Sequence, residues 1–127
     1  MSIPSSSYDT GPLPVAEQVS LLPLLEEAVL LGFRLAAYGQ PRGSVGGHVQ
    51  SLLPRATLAA PSVFGAAAAH RTLGLATLRA ALETGFDEPR RGEAAEREAA
   101  ERAHALHNAL YAALARAPRP DGAALRR

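Results

Sequence analysis

The chemistry open to this 127-residue chain rests on thirteen arginines, twelve carboxylates, four histidines and three tyrosines. It has no Cys and no Lys, which excludes disulfides, thiolate metal sites, thiol nucleophiles, Schiff-base chemistry and a P-loop lysine. Between Glu27 and Glu83 there is no acid at all, yet Arg34, Arg42, Arg55, Arg71, Arg79, His48 and His70 lie in that stretch. A guanidinium without an acidic neighbour can turn its planar donor fork to a carboxylate or phosphate guest. Arg34, Arg42 and Arg71 are therefore the candidate ligand-binding residues. The competing reading is a scatter of solvated arginines, which contribute little. His48, His70 and Tyr38 are the candidates for acid–base work, provided burial tunes them. Tyr38 follows Arg34 by one helical turn and precedes Gly39-Gln40-Pro41-Arg42-Gly43-Ser44-Val45-Gly46-Gly47. Arg34, Tyr38, Arg42 and His48 thus crowd one expected helix end and its glycine-rich loop. Such a loop is either a nest of backbone N–H groups for an anion or a plain linker.

A second arrangement is Glu101-Arg102-Ala103-His104. Glu and His three residues apart share a helix face, the spacing of carboxylate-bridged metal sites in bundles. With Glu27 or Glu26 as a third ligand it is the alternative metal site, but the set is incomplete without a second motif. Other motifs are absent. There is no Gly-Lys-Ser/Thr, no dinucleotide fingerprint after a strand and no Gly-x-Ser-x-Gly elbow, so no cofactor is expected.

The elements that must position these residues read as helices. There are 27 Ala and 19 Leu but one Ile and no Trp, a mixture that suits helix over sheet. Periodicity predicts a first helix over 14–38, with Leu21, Leu25, Ala28, Leu31 and Leu35 as its stripe and Gly39 as terminator. Pro23 either kinks that helix or starts a new one capped by Ser20. A short helix is expected over 49–60, a long one over 62–84 closed by Gly85, and another over 92–117. Ser51-Leu52-Leu53-Pro54 repeats Ser20-Leu21-Leu22-Pro23, read as a shared capping solution. The expected fold is all-α: a bundle of three long helices and one short over residues 13–117. An extended or disordered arm precedes it over 1–12, and a disordered tail follows over 118–127. The first helix is apolar nearly all round, so a homodimer is expected to bury its second face.

A net charge of +1 offers no basic footprint for nucleic acid. No apolar run approaches the ~20 residues of a membrane span, and the start of the chain lacks a secretion pattern. The expected setting is cytoplasmic, and the expected partner a peptide or small anionic ligand.

The all-Arg, Ala-rich style, the size, the helical content and the acid-free middle from Arg34 to Arg79 together resemble the small lysinoalanine-forming proteins of duramycin/cinnamycin-type lanthipeptide biosynthesis. The resemblance includes no diagnostic motif, and no residue role is carried over by it. It implies a compact helical dimer that holds a modified peptide while an amine adds to a dehydroalanine. Proximity alone can contribute ~7–11 kcal/mol to such a conjugate addition, with Arg clamping a carboxylate and His taking a proton. The alternatives are a non-enzymatic interaction module and a dimeric metal-binding bundle.

Overall fold

The computed structural model describes residues 14–65 and 68–117, all helix and connecting turns without a strand. The expectations for 1–12 and 118–127 lie outside the described residues. Helix α1 spans Val15–Ala37, α2 Val45–Ala59, α3 Pro61–Phe64, α4 Ala68–Asp87 and α5 Gly92–Arg116, and a 3₁₀ turn at Arg42–Ser44 leads into α2.

Glycine at the left-handed position ends α1 as expected. Gly39 has φ +73°, its N–H donates to Ala36 O at 3.1 Å, and Gln40 N–H donates to Leu35 O at 3.0 Å. That is the Schellman pair of bonds, which satisfies carbonyls the helix would leave orphaned. Pro23 neither restarts nor ends α1, and Pro54 likewise sits inside α2. Each proline is exposed, because the Leu two residues before it (Leu21, Leu52) points into the core. The repeated Ser-Leu-Leu-Pro is thus no cap. It places two prolines on outward faces, where the carbonyl each one strips of its N–H donor faces water.

Three expected boundaries move. The short helix begins at Val45, not 49, so Gly46 and Gly47 are helical and the expected loop is reduced to its first half. The cause is a stripe of Val45, Val49, Leu52 and Ala56, all buried, which starts four residues early. Its burial outweighs the ~1 kcal/mol cost of each helical glycine. The helix expected over 62–84 is two. Pro61 holds Ala60 out of helix (φ −141°, ψ 71°) and opens the single turn of α3, after which Gly65 precedes the start of α4. Glu17 of α1 caps that turn, its carboxylate accepting from Ser62 N–H and Oγ–H at 2.9 Å each. Gly85 does not close α4. It is buried within it, and the helix runs on to Asp87.

Gly85 explains the whole arrangement. A Cβ there would collide with Val29 O, and one on Gly32 would come within 2.7 Å of Phe86 N. Only glycine lets α1 and α4 approach backbone to backbone at this crossing. The two run parallel, because Glu17 near the start of α1 reaches Ser62 just ahead of α4, while Gly32 meets Gly85 near both ends. α2 returns beside α1, with Arg55 on Glu27, and α5 returns along α1 and α4, with His107 Nε2 2.7 Å from Gln18 O. α2 and α5 scarcely meet, so they flank the central pair. The core is Leu21, Leu25 and Val29 against Leu78 and Leu82, closed by Val45, Val63, Ala99 and Ala103. The chain therefore covers most of the apolar circumference of α1 itself.

Candidate functional site

The bundle has two ends. At the far end α1 and α4 finish and α2 and α5 begin, and here the structure places Arg34, Tyr38, Arg42 and His48. Arg42 is not free. Its fork lies on Asp87 (Nε–Oδ1 and Nη2–Oδ2, both 3.0 Å), with Glu83 3.8 Å away, and Glu83 also takes Arg79 at 3.4 Å. The Arg42 guanidinium holds the Asp87 carboxyl below its usual range, although burial opposes this. Arg55 is engaged as well, bidentate on Glu27 at 2.7 and 2.6 Å. Its hydrogen bonds depress the Glu27 carboxyl, burial opposes, and the charges of Arg55 and Arg34 add to the depression. A stretch without acids in sequence is thus not without acids in space. The partners come from 45 and 28 residues away.

The remaining candidates do not join this group. His70 and Arg71 sit in the first turn of α4, while Asp87, which holds Arg42, is its last residue. Seventeen residues of helix put His70 about 25 Å along the axis from Asp87. Arg71 points to solvent and His70 is only 7% exposed. Tyr38 is 74% exposed and His48 half-buried, so the expected acid–base trio is split between the two ends. Glu101 and His104 face solvent on α5, whereas Glu27 is held by Arg55 on the α2 side of α1. Among the described residues no group of three His, Asp or Glu side chains could hold a metal ion.

The near end is built differently. Between α1 and α2 runs an open groove of about 390 Å³, lined by Ser20, Pro23, Leu24 and Glu27 on one wall and Arg55, Leu58 and Ala59 on the other. Leu58 is 84% exposed at its lip. Val19, one turn before Pro23 on α1, is 65% exposed, and Val15 one turn earlier is exposed too. Across α1 from this groove, His107 hydrogen-bonds Gln18 O and its ring lies 4.8 Å from that of Tyr111. The Tyr111 hydroxyl is buried with no hydrogen-bond partner, and burial together with the negative charge of Glu17 pushes it up to about 12. Both ring nitrogens of His70 are likewise buried and unpartnered. Buried polar groups left unpaired are rare in folded proteins, and here all three such side-chain atoms found among the described residues belong to the first turn of α4 and the last two turns of α5.

Sequence reasoning passed over Val19, Leu58 and Tyr111. The signal was present for two of them. Leu58 falls off the Val45-Val49-Leu52-Ala56 stripe, and Val15 and Val19 fall off the Leu21-Leu25-Ala28 stripe. A large apolar residue on the wet face of an amphipathic helix is the pattern of a surface with a use.

No protein-family model matches the chain, and no curated protein or solved structure is significantly similar to it. The resemblance to lysinoalanine-forming proteins is therefore neither supported nor opposed by a relative. Among the described residues no helix is long and apolar enough to cross a membrane.

Proposed function

We propose that this chain is a non-catalytic helical binding module that receives a segment of a partner protein in the groove between α1 and α2. The carrying observation is the placement of Leu58, 84% exposed, across an open groove from Pro23, with Val19 on the adjoining turn. Burying a Leu side chain contributes about 1.5–3 kcal/mol, so the isolated chain leaves that free energy unused at one place. Among the described residues the charges lining the groove are Glu27 and Arg55, already paired with each other. An apolar side chain therefore suits its floor better than a lone anion does.

A crosslinking catalyst has less to rest on. It would need Arg34, Arg42 and Arg71 around one guest, but Arg71 lies in the first turn of α4 while Arg42 is held on Asp87, its last residue. The metal-bundle alternative lacks a convergent ligand set among the described residues.

The test is a selection of random displayed peptides on the full chain, run in parallel on Leu58→Asp. Leu58 is 84% exposed, so the variant should keep the parental melting temperature. Peptides enriched on the parent and lost on Leu58→Asp support the module. Equal enrichment on both chains, or none on either, overturns it.

A further inference from the structure

We infer that the segment taken by the groove is an amphipathic helix that sets an apolar side chain between Pro23 and Leu58 and an Asp or Glu on Arg34, about three turns further along. This rests on the groove reading above and adds the partner's chemistry to it.

The first observation is the shape of the host. Groove walls formed by two antiparallel helices expose side chains, not free backbone. An extended peptide gains most of its affinity by pairing its own N–H and C=O groups with a strand edge. No strand exists among the described residues. An extended guest would leave its backbone unpaired wherever it was desolvated, whereas a helix brings its hydrogen bonds with it.

The second observation is charge. Of the arginines along this seam, Arg55 is neutralised by Glu27 at 2.6 Å. Arg34 lies two turns beyond Glu27 on the same face of α1 and is close enough for its charge to act on the Glu27 carboxylate. It is exposed, and no carboxylate of the described residues closes on it. The seam thus runs from an apolar mouth at Pro23 and Leu58, past the Glu27–Arg55 pair, to an exposed cation that forms no salt bridge with the described residues. Eleven residues separate Pro23 from Arg34, about 16 Å of helix. A partner helix laid along the seam meets both points with residues ten or eleven apart in its own sequence. Charge of one sign at one end also fixes the partner's direction, as like charges set there would repel.

The experiment uses displayed random peptides about 16 residues long, a helix of roughly 24 Å, on the full chain and on Leu58→Asp, Arg34→Glu and Arg34→Lys. The expected winners are helix-forming, carry a Leu, Ile or Phe anchor and have Asp or Glu ten or eleven residues from it. A synthetic winner should bind Arg34→Glu about tenfold or more weakly and Arg34→Lys nearly as the parent. Selection on Arg34→Glu should turn the acidic position into Lys or Arg. Winners that depend on Leu58 but show no acidic preference, keep it on Arg34→Glu, or are rich in interior proline overturn this inference and leave the groove reading standing. No enrichment that depends on Leu58 overturns both.

Discussion

The two ends of this bundle solve the same problem in opposite ways. At the far end the polar groups are knitted together. Arg42 lies on Asp87 and Glu83, and Arg79 also reaches Glu83. Arg102, with its side chain 13% exposed, donates to Thr84 O at 2.9 Å and Glu88 O at 3.0 Å, bonds Glu98, and lies 5.3 Å over the Phe33 ring. That single guanidinium ties the last carbonyls of α4 to α5. At the near end, apolar side chains stand in water while His70 and Tyr111 hide polar atoms without partners. Apart from the exposed Arg34 and Tyr38, one end is finished within the chain. The other carries unmet interactions of both kinds, which is where a binding surface belongs.

The largest effect expected from breaking this contrast is at the helix crossing. A Cβ on Gly85 meets backbone that cannot yield, whereas a Cβ on Gly74, eleven residues earlier on the same helix, meets only Phe64 and Val63 side chains at 2.8 Å. Gly85→Ala should therefore cost about 3 kcal/mol or more, and Gly74→Ala about 1 kcal/mol, measured by urea unfolding. Equal costs would mean that the far end is no tighter than the near end.

Next is Arg102→Ala, expected to lose about 2 kcal/mol, since it removes the charge-assisted bonds to Thr84 O and Glu88 O and the contact over Phe33, leaving those carbonyls only Glu88 N–H and Arg90 Nη1 at 3.2 Å each. Hydrogen exchange should quicken in the last turn of α4 and leave α3 unchanged. Uniform quickening would show that the latch is not local.

At the near end the sign reverses. His70→Leu replaces two unpartnered nitrogens with carbon and should stabilise the chain by about 1 kcal/mol. A loss of stability would mean that His70 has a partner in solution.

The smallest effect concerns Tyr111. Spectrophotometric titration should show one tyrosine ionising with a midpoint of about 12, and Tyr111→Phe should remove that step. The folded value is raised above the usual 10.0, so the stability this group contributes is present below pH 10 and lost as pH climbs towards 12. Tyr111→Phe should flatten that alkaline decline and change stability at neutral pH by less than about 1 kcal/mol.

Much of the helical plan is legible in the residues. The expected spans 14–38 and 92–117 differ from α1 and α5 by single residues, and Gly39 terminates α1 by the expected geometry. These features depend on contacts within one or two turns. Gly85 misled because glycine at a helix end and glycine at a helix crossing look alike in sequence. Gly46 and Gly47 misled for a related reason, since the burial of Val45 and Val49 extended α2 through them. Of the candidate site, Arg34 lies on an exposed face of α1, one turn before Tyr38. Arg42 was read as lacking a counterion only because Asp87 is 45 residues away. The groove had a trace in Leu58 and Val19 lying off their stripes, but its second wall exists only once α2 is folded back on α1.

Alanine and leucine content, the stripes and the turn residues were enough to make this chain helical and to place most of its helix ends, because propensity, capping and i, i+4 packing act over a few residues. Which arginine meets which carboxylate, which apolar faces are covered and where the groove opens were settled by tertiary packing. Those outcomes depend on the angle and register at which α1 and α4 cross. The missing side chains of Gly32 and Gly85 set that geometry jointly, 53 positions apart in the chain.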